Sequence, residues 1–202
     1  MTASAWLAWA AALGAALVTF GGFVWAVRRF FARYGPPAPG MRAIAAGGTA
    51  AMIADLVVLA CSADVGPGWH LAGAALFASA AALFWEAVKA NRARPLTLAF
   101  SDDEPGHLVE WGPYATVRHP FYSAYMLAWI AGAVAAAQPA LLLAFGVMGT
   151  LYVRAARREE SKFAASPLAS AYAAYRARTG MFVPTGRPRG GRLAAPSTGA
   201  ER

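Results

Sequence analysis

The chain has 202 residues, of which 58% are hydrophobic and only 14% are charged. This composition, with a positive mean hydropathy, excludes an ordinary soluble domain and indicates a single membrane domain. The lone cysteine excludes an intrachain disulfide and a multi-cysteine metal site. A formal net charge of +8 would suggest nucleic acid as a partner of a soluble protein, so the positions of the charges decide its meaning.

Five apolar segments each predict a membrane-spanning helix. The first three are long enough, at about 1.5 Å rise per residue, to cross a hydrocarbon core roughly 30 Å thick. Residues 1–5 carry no Lys or Arg, which favours a retained first span over a cleaved signal peptide. The last two segments are shorter and predict a tight helical hairpin. The predicted spans are residues 6–27, 44–61, 69–88, 121–137 and 140–153.

The C-terminal part predicts a helix that leaves the membrane and then a tail. Residues 154–163 contain neither Gly nor Pro, so we expect the last helix to continue past Arg154 as a cytoplasmic helical extension. Residues 185–202 are rich in Gly, Pro and Arg and predict a disordered tail. The fold predicted for residues 1–184 is therefore one all-α membrane domain.

The basic residues sort to one side of these five spans. With the N-terminus outside, all 18 Lys and Arg residues lie on the inner face. The positive-inside rule then predicts an outer N-terminus and a cytoplasmic C-terminus. Because a nucleic-acid binder would not sort its charges by alternate loops, we expect membrane lipids and no nucleic acid as partners. The expected location is a bacterial inner membrane, and the oligomeric state is left open.

Two acidic residues fall inside predicted spans. Asp55 shares a helix face with small residues, and Glu86 lies near the inner end of the third span. Intramembrane carboxylates often mark a functional cavity. The simpler interpretation, which we favour, is an interhelical hydrogen bond for Asp55 and an interfacial position for Glu86.

The stretch just before the fourth span is rich in polar, cationic and aromatic side chains. Pro120 suits the first turn of a helix, and the N–H groups that follow it are free to bind an anion. Arg118 and His119 stand beside that position. Taken singly, these residues are also compatible with an interfacial anchor, a helix cap and, at Gly112 and Pro113, an ordinary turn.

Taken together, their spacing resembles the G-P-Y-x-x-x-R-H-P-x-Y signature of the isoprenylcysteine carboxyl methyltransferase and phospholipid methyltransferase group. A second block has the same order as in the family, with an adjacent glutamate pair, a Y-x-x-Y element and a terminal proline. These residues are Glu159, Glu160, Tyr172, Tyr175 and Pro184. The resemblance covers about residues 95–184, the predicted catalytic part, while the first three spans agree only in number and hydropathy.

Three positions depart from the family pattern. Ala124 replaces a common glycine, Ser166 and Pro167 lie where a Phe-Gly pair is usual, and Ala155 replaces a common arginine. These departures indicate a side branch of the family.

The resemblance implies methyl transfer from S-adenosylmethionine to a lipophilic acceptor at the cytoplasmic membrane surface. It implies that Arg118, His119 and Glu160 take part in catalysis. Arg118 with the free N–H groups is suited to the methionyl carboxylate, and a glutamate to ribose hydroxyls or the ammonium. An amine acceptor would need a general base, for which His119 and Glu160 are candidates. The residues implied in cofactor binding are His107, Gly112, Pro113, Tyr114, Arg118, His119, Pro120, Tyr122, Glu159 and Glu160.

Other functions are compatible with the same residues. A membrane reductase using NADPH would share a related C-terminal helix arrangement but would need additional Arg or Lys residues for the cofactor phosphate. A non-catalytic scaffold or lipid-binding family member would need neither Arg118 nor the glutamates. For the glutamate pair alone, salt bridges with Arg157, Arg158 or Lys162 on an exposed helix are the simplest interpretation.

Overall fold

The computed structural model describes residues 2–32, 39–91, 96–97 and 106–185. Within these ranges, β structure is limited to a parallel pair, Phe31–Ala32 with Leu96–Thr97, and a bridge between Val117 and Gly180. The predicted all-α membrane fold is confirmed. The α-helices are α1 (Ala3–Phe30), α2 (Pro39–Ala60), α3 (Pro67–Ala90), α4 (Pro120–Ala135), α5 (Leu142–Ala164) and α6 (Ala169–Arg178).

Four helical segments are long and apolar enough to cross a membrane: α1, α2, α3 and Pro139–Ala164, which contains α5. The remaining apolar helix, α4, has 16 residues and a length of about 24 Å, less than a typical hydrocarbon core. It begins at Pro120 and ends before Ala137, which has a φ of 48° and turns the chain. The predicted number of five spans is therefore not confirmed.

The C-terminal half forms the predicted hairpin. Gln138 and Pro139 join α4 to α5, and the side chain of Gln138 accepts a hydrogen bond from the backbone N–H of Ala140 at 3.4 Å. α5 runs without a break past Arg154 to Ala164, so the predicted helical continuation is confirmed, and its cytoplasmic location stays a prediction. The predicted tail lies, except for Thr185, outside the described residues.

Small residues bring the central helices together. α3 packs against both α1 and α4, and a Cβ atom added at Gly73 would lie 2.3 Å from the Cβ of Ala135. Apolar helices gain little hydrophobic energy from each other in lipid, so such close backbone approach supplies much of their attraction. This contact joins the start of α3 to the end of α4, and at the opposite end of the pair, beside the first motif, Phe84 packs against Phe121 with ring centroids 5.2 Å apart.

The two acidic residues of the apolar helices have different surroundings. Asp55 is 1% exposed and packs against Gly132 of α4, where an added Cβ would lie 2.0 Å from its Oδ2. No hydrogen bond to that oxygen occurs within the described part of the chain, so this atom does not make the expected interhelical bond. Glu86 pairs with Lys89 at 2.6 Å, both side chains being more than half exposed, as expected of an interfacial position.

Candidate functional site

The first motif block is attached to the end of α3. Gly112 begins a short 3-10 turn, Gly112–Ala115, and has a φ of 61° that glycine adopts without strain. The indole N–H of Trp111 donates to the carbonyl of Ala90 at 3.1 Å. The amide of Asn91 donates to the hydroxyl of Tyr114 at 3.0 Å. These contacts explain the G-P-Y part of the motif as a turn held against the bundle.

A C-terminal strap, residues 179–182, runs alongside the second half of the block. The backbone N–H of Gly180 donates to the carbonyl of Thr116 at 3.1 Å, and the N–H of Arg118 donates to the carbonyl of Gly180 at 2.8 Å. The N–H of His119 donates to the carbonyl of Met181 at 3.1 Å. The hydroxyl of Ser123 donates to the carbonyl of Phe182 at 2.7 Å. The strap therefore holds the backbone of Arg118 and His119 through one parallel β-bridge and the hydrogen bonds beside it.

Arg118 and Glu160 form the buried centre of the site. The guanidinium Nε donates to Glu160 Oε1 at 2.8 Å, and both side chains are 8% exposed. A terminal guanidinium nitrogen of Arg118 donates to the carbonyls of Thr179 and, at 3.4 Å, Arg176. The pair joins two blocks that are distant in sequence, so Glu160 is not merely a surface glutamate paired along its own helix.

His119 lies between the two glutamates. Its Nδ1 is 3.3 Å from Glu159 Oε2, and its Nε2 is 3.3 Å from Glu160 Oε1. Tyr122 donates its hydroxyl to Glu159 Oε1 at 2.5 Å and stacks on Tyr152 of α5, with ring centroids 5.3 Å apart. One side of the site is thus acidic and the adjacent side aromatic.

This position perturbs the titration of His119. Burial by itself lowers the pKa of the imidazole, but hydrogen bonds and charge attraction from Glu159 and Glu160 outweigh burial and raise the pKa above its ordinary value of 6.5. An imidazole can donate a hydrogen bond to an acceptor at each of its two nitrogens only when it is protonated. The two carboxylates therefore favour the protonated form of His119, which can donate to both of them.

α6 ties the two motif blocks together from the other side. The hydroxyl of Tyr175 donates to the carbonyl of Tyr114 at 2.8 Å, and burial raises the pKa of that hydroxyl. Arg178 forms an ion pair with Glu110 at 2.7 Å. Tyr172 stacks on Phe163 of α5, with centroids 4.6 Å apart. The Y-x-x-Y element thus positions the site by packing and hydrogen bonding.

The structure brings most of the predicted residues to one place. Pro120 is the first residue of α4, with His119 at its N-cap, and the turn Gly112–Ala115 adjoins the cluster through Tyr175. His107 is half-buried in the segment that leads to this turn, and its role in cofactor binding stays a prediction. The residues that join the two blocks are Arg118, His119, Tyr122, Glu159 and Glu160.

Sequence reasoning missed the strap and Arg176. A Cβ atom on Gly180 would lie 1.7 Å from the carbonyl oxygen of Val183, so only glycine fits this backbone. The glycine that follows α6 was the one available signal. Arg176, whose Nε lies 3.8 Å from Glu160 Oε2, was indistinguishable from the other basic residues of the C-terminal part.

The chemistry of these groups fits a sulfonium cofactor. Carboxylates accept hydrogen bonds from ribose hydroxyls and from an ammonium group, and aromatic faces attract a cation. No group of three or more metal-ligating side chains occurs within the residues that the structure describes.

A family model described as phospholipid methyltransferase matches residues 69–168. The match begins in α3 and extends just beyond α5, so it contains the first motif and the glutamate pair. It includes the third apolar span, which the motif resemblance alone left out. Tyr172, Tyr175 and Pro184 lie beyond it. No curated protein and no solved structure matches the chain.

Proposed function

Since residues 69–168 place this chain in the phospholipid methyltransferase family, we propose that it transfers a methyl group from S-adenosylmethionine to a lipophilic acceptor at the cytoplasmic membrane surface. The observation that carries this proposal is the cluster in which the buried Arg118 contacts Glu160 and the buried His119 contacts both glutamates. A scaffold would gain nothing from burying these charges, because desolvating an ion pair costs several kcal/mol, about as much as the pair returns.

The cofactor supplies a methyl group on a sulfonium that is already a good leaving group. The protein then has to position the two reactants and exclude water. The pair Glu159 and Glu160 would accept hydrogen bonds from cofactor hydroxyls or ammonium. The ring of Tyr122 stacks on both His119 and Tyr152 and its hydroxyl donates to Glu159, so Tyr122 would hold the histidine and this glutamate in position.

The acid–base roles follow from the same contacts. A carboxylate lies 3.3 Å from each ring nitrogen of His119 and raises the pKa of the imidazole, so His119 is the less favourable proton acceptor. Glu159 is half-buried and faces Tyr122, so it is the better placed base for an amine acceptor. A carboxylate acceptor would need no base.

The acceptor would enter from the bilayer. The cluster lies where α4 begins and where α5 continues beyond its apolar part, next to the level at which an apolar molecule is concentrated by the membrane. This orientation, with the site and the C-terminus in the cytoplasm, rests on the distribution of Lys and Arg. A bacterial inner membrane remains the proposed location.

Calorimetry in detergent with S-adenosylhomocysteine tests the donor. We expect binding, and we expect Arg118→Ala and Glu160→Ala each to weaken it at least tenfold, or about 1.4 kcal/mol. NADPH is the control ligand. Binding of NADPH without binding of S-adenosylhomocysteine would support the membrane reductase instead. If both variants fold and bind S-adenosylhomocysteine with unchanged affinity, Arg118 and Glu160 do not belong to the cofactor site.

Acceptors with intact and truncated apolar tails test lateral entry. If binding of the tail contributes to the transition state, truncation should lower kcat as well as raise KM. Equal kcat/KM for long and truncated acceptors in the same detergent would refute entry from the bilayer and leave methyl transfer itself standing.

A further inference from the structure

A shallow groove lies between the end of α5 and α6. Its walls are small side chains, and its polar groups come from both helices. Arg176 has no role in the mechanism described above. The groove is lined by Glu160, Ala164, Ala169, Tyr172, Ala173 and Arg176.

The two oxygens of Glu160 have different surroundings. Oε1 accepts from Arg118 Nε at 2.8 Å and lies 3.3 Å from His119 Nε2. Oε2 lies 3.8 Å from the Nε of Arg176, well beyond the roughly 2.7–2.9 Å of a charge-assisted hydrogen bond. Arg176 and this oxygen therefore present a cation and an anion side by side without a close bond between them.

The two arginines near Glu160 differ in availability. Arg118 is buried, and its guanidinium donates to Glu160 and to two backbone carbonyls. The side chain of Arg176 is 63% exposed. An anion arriving from solution can reach Arg176 without breaking the buried pair, so the expected contact between Arg118 and the methionyl carboxylate is the less favourable one.

We propose that this groove binds the α-amino-acid end of S-adenosylmethionine, with Arg176 holding the carboxylate and Oε2 of Glu160 accepting from the ammonium. The inference rests on the proposed methyl transfer. A carboxylate and an ammonium on one carbon match an arginine and a carboxylate oxygen that lie side by side in a groove lined by small side chains. Arg118 then acts as a positioning residue that orients Glu160 through Oε1.

The test compares two ligands that differ in the amino-acid group. S-adenosylhomocysteine carries it, and 5′-deoxy-5′-methylthioadenosine lacks it. By calorimetry on the full chain in detergent, we expect Arg176→Gln to weaken binding of the first ligand at least tenfold and to leave the second unchanged. Arg176→Lys should keep part of the affinity. Arg158→Gln, an equal charge change at an exposed α5 residue outside the groove, should affect neither ligand.

Each other outcome has a distinct meaning. Wild-type affinity of Arg176→Gln for S-adenosylhomocysteine, or an equal loss for both ligands, would overturn the groove assignment. So would an equal loss in Arg158→Gln, since a general charge effect would then explain the result. If the wild-type chain binds neither ligand, the proposed function itself fails together with the groove. If it binds both with similar affinity, the groove alone is refuted.

Discussion

Removing one partner of the buried pair Arg118 and Glu160 should destabilise the protein much more than removing one partner of an exposed ion pair of similar length, because the remaining charge is left buried. Both side chains are 8% exposed, and removing one partner of a buried pair costs about 3–5 kcal/mol. Because His119 and the Thr179 carbonyl remain as alternative partners, we expect about 3 kcal/mol for Arg118→Met or Glu160→Gln. The double variant should show a coupling energy of about 1.5–3 kcal/mol.

The chain contains its own control for this double-mutant cycle. Lys89 and Glu86 are 2.6 Å apart, with side chains 54% and 57% exposed. The cycle of Lys89→Met and Glu86→Gln should give less than about 1 kcal/mol, because solvent screens the attraction. Both pairs have similar lengths, so the comparison isolates burial.

The free energy of unfolding can be measured by titrating mixed micelles with a denaturing detergent and following circular dichroism. All variants must retain the native helix content before the titration. A coupling energy for the buried pair no larger than that of the control pair would refute the conclusion that this contact joins the two motif blocks energetically.

Three further outcomes are expected. Gly180→Ala should lower the thermal midpoint, since its Cβ would meet the Val183 carbonyl at 1.7 Å, while Gly106→Ala, with nothing within 4 Å, should not; equal midpoints would contradict the strap. The wild-type chain should have a larger free energy of unfolding than His119→Gln, with the full difference below pH 6.5 and a loss of that difference as pH rises through the raised folded pKa of His119; a difference that widens with pH would contradict the raised pKa. The native Cys61 is exposed and should react with an impermeant maleimide from outside, whereas labelling only after permeabilisation would contradict the topology.

Local patterns were enough to predict most helices. Hydropathy over windows of about 20 residues is a property of the segment itself, so the long apolar helices were predictable. Pro120 marked the start of α4 and the absence of Gly and Pro after Arg154 marked the extension of α5, because both act on the backbone where they occur. The end of α4 was not predictable, since residues 136 and 137 are alanines that suit a helix as well as a turn.

The amino-acid sequence by itself determined which side chains were available for chemistry, because a guanidinium, an imidazole and two carboxylates keep their charges and hydrogen-bonding groups in any fold. Only the tertiary structure decided their partners. Glu160 could pair with arginines on its own helix, yet the packing of α5 against α4 and α6 turns it toward Arg118. The strap covers Arg118, whose guanidinium donates to the carbonyl of Thr179, whereas Arg176 on α6 stays exposed. Such choices depend on contacts between residues about 40 to 60 positions apart, whose cost in chain entropy and desolvation is settled only when the whole bundle packs.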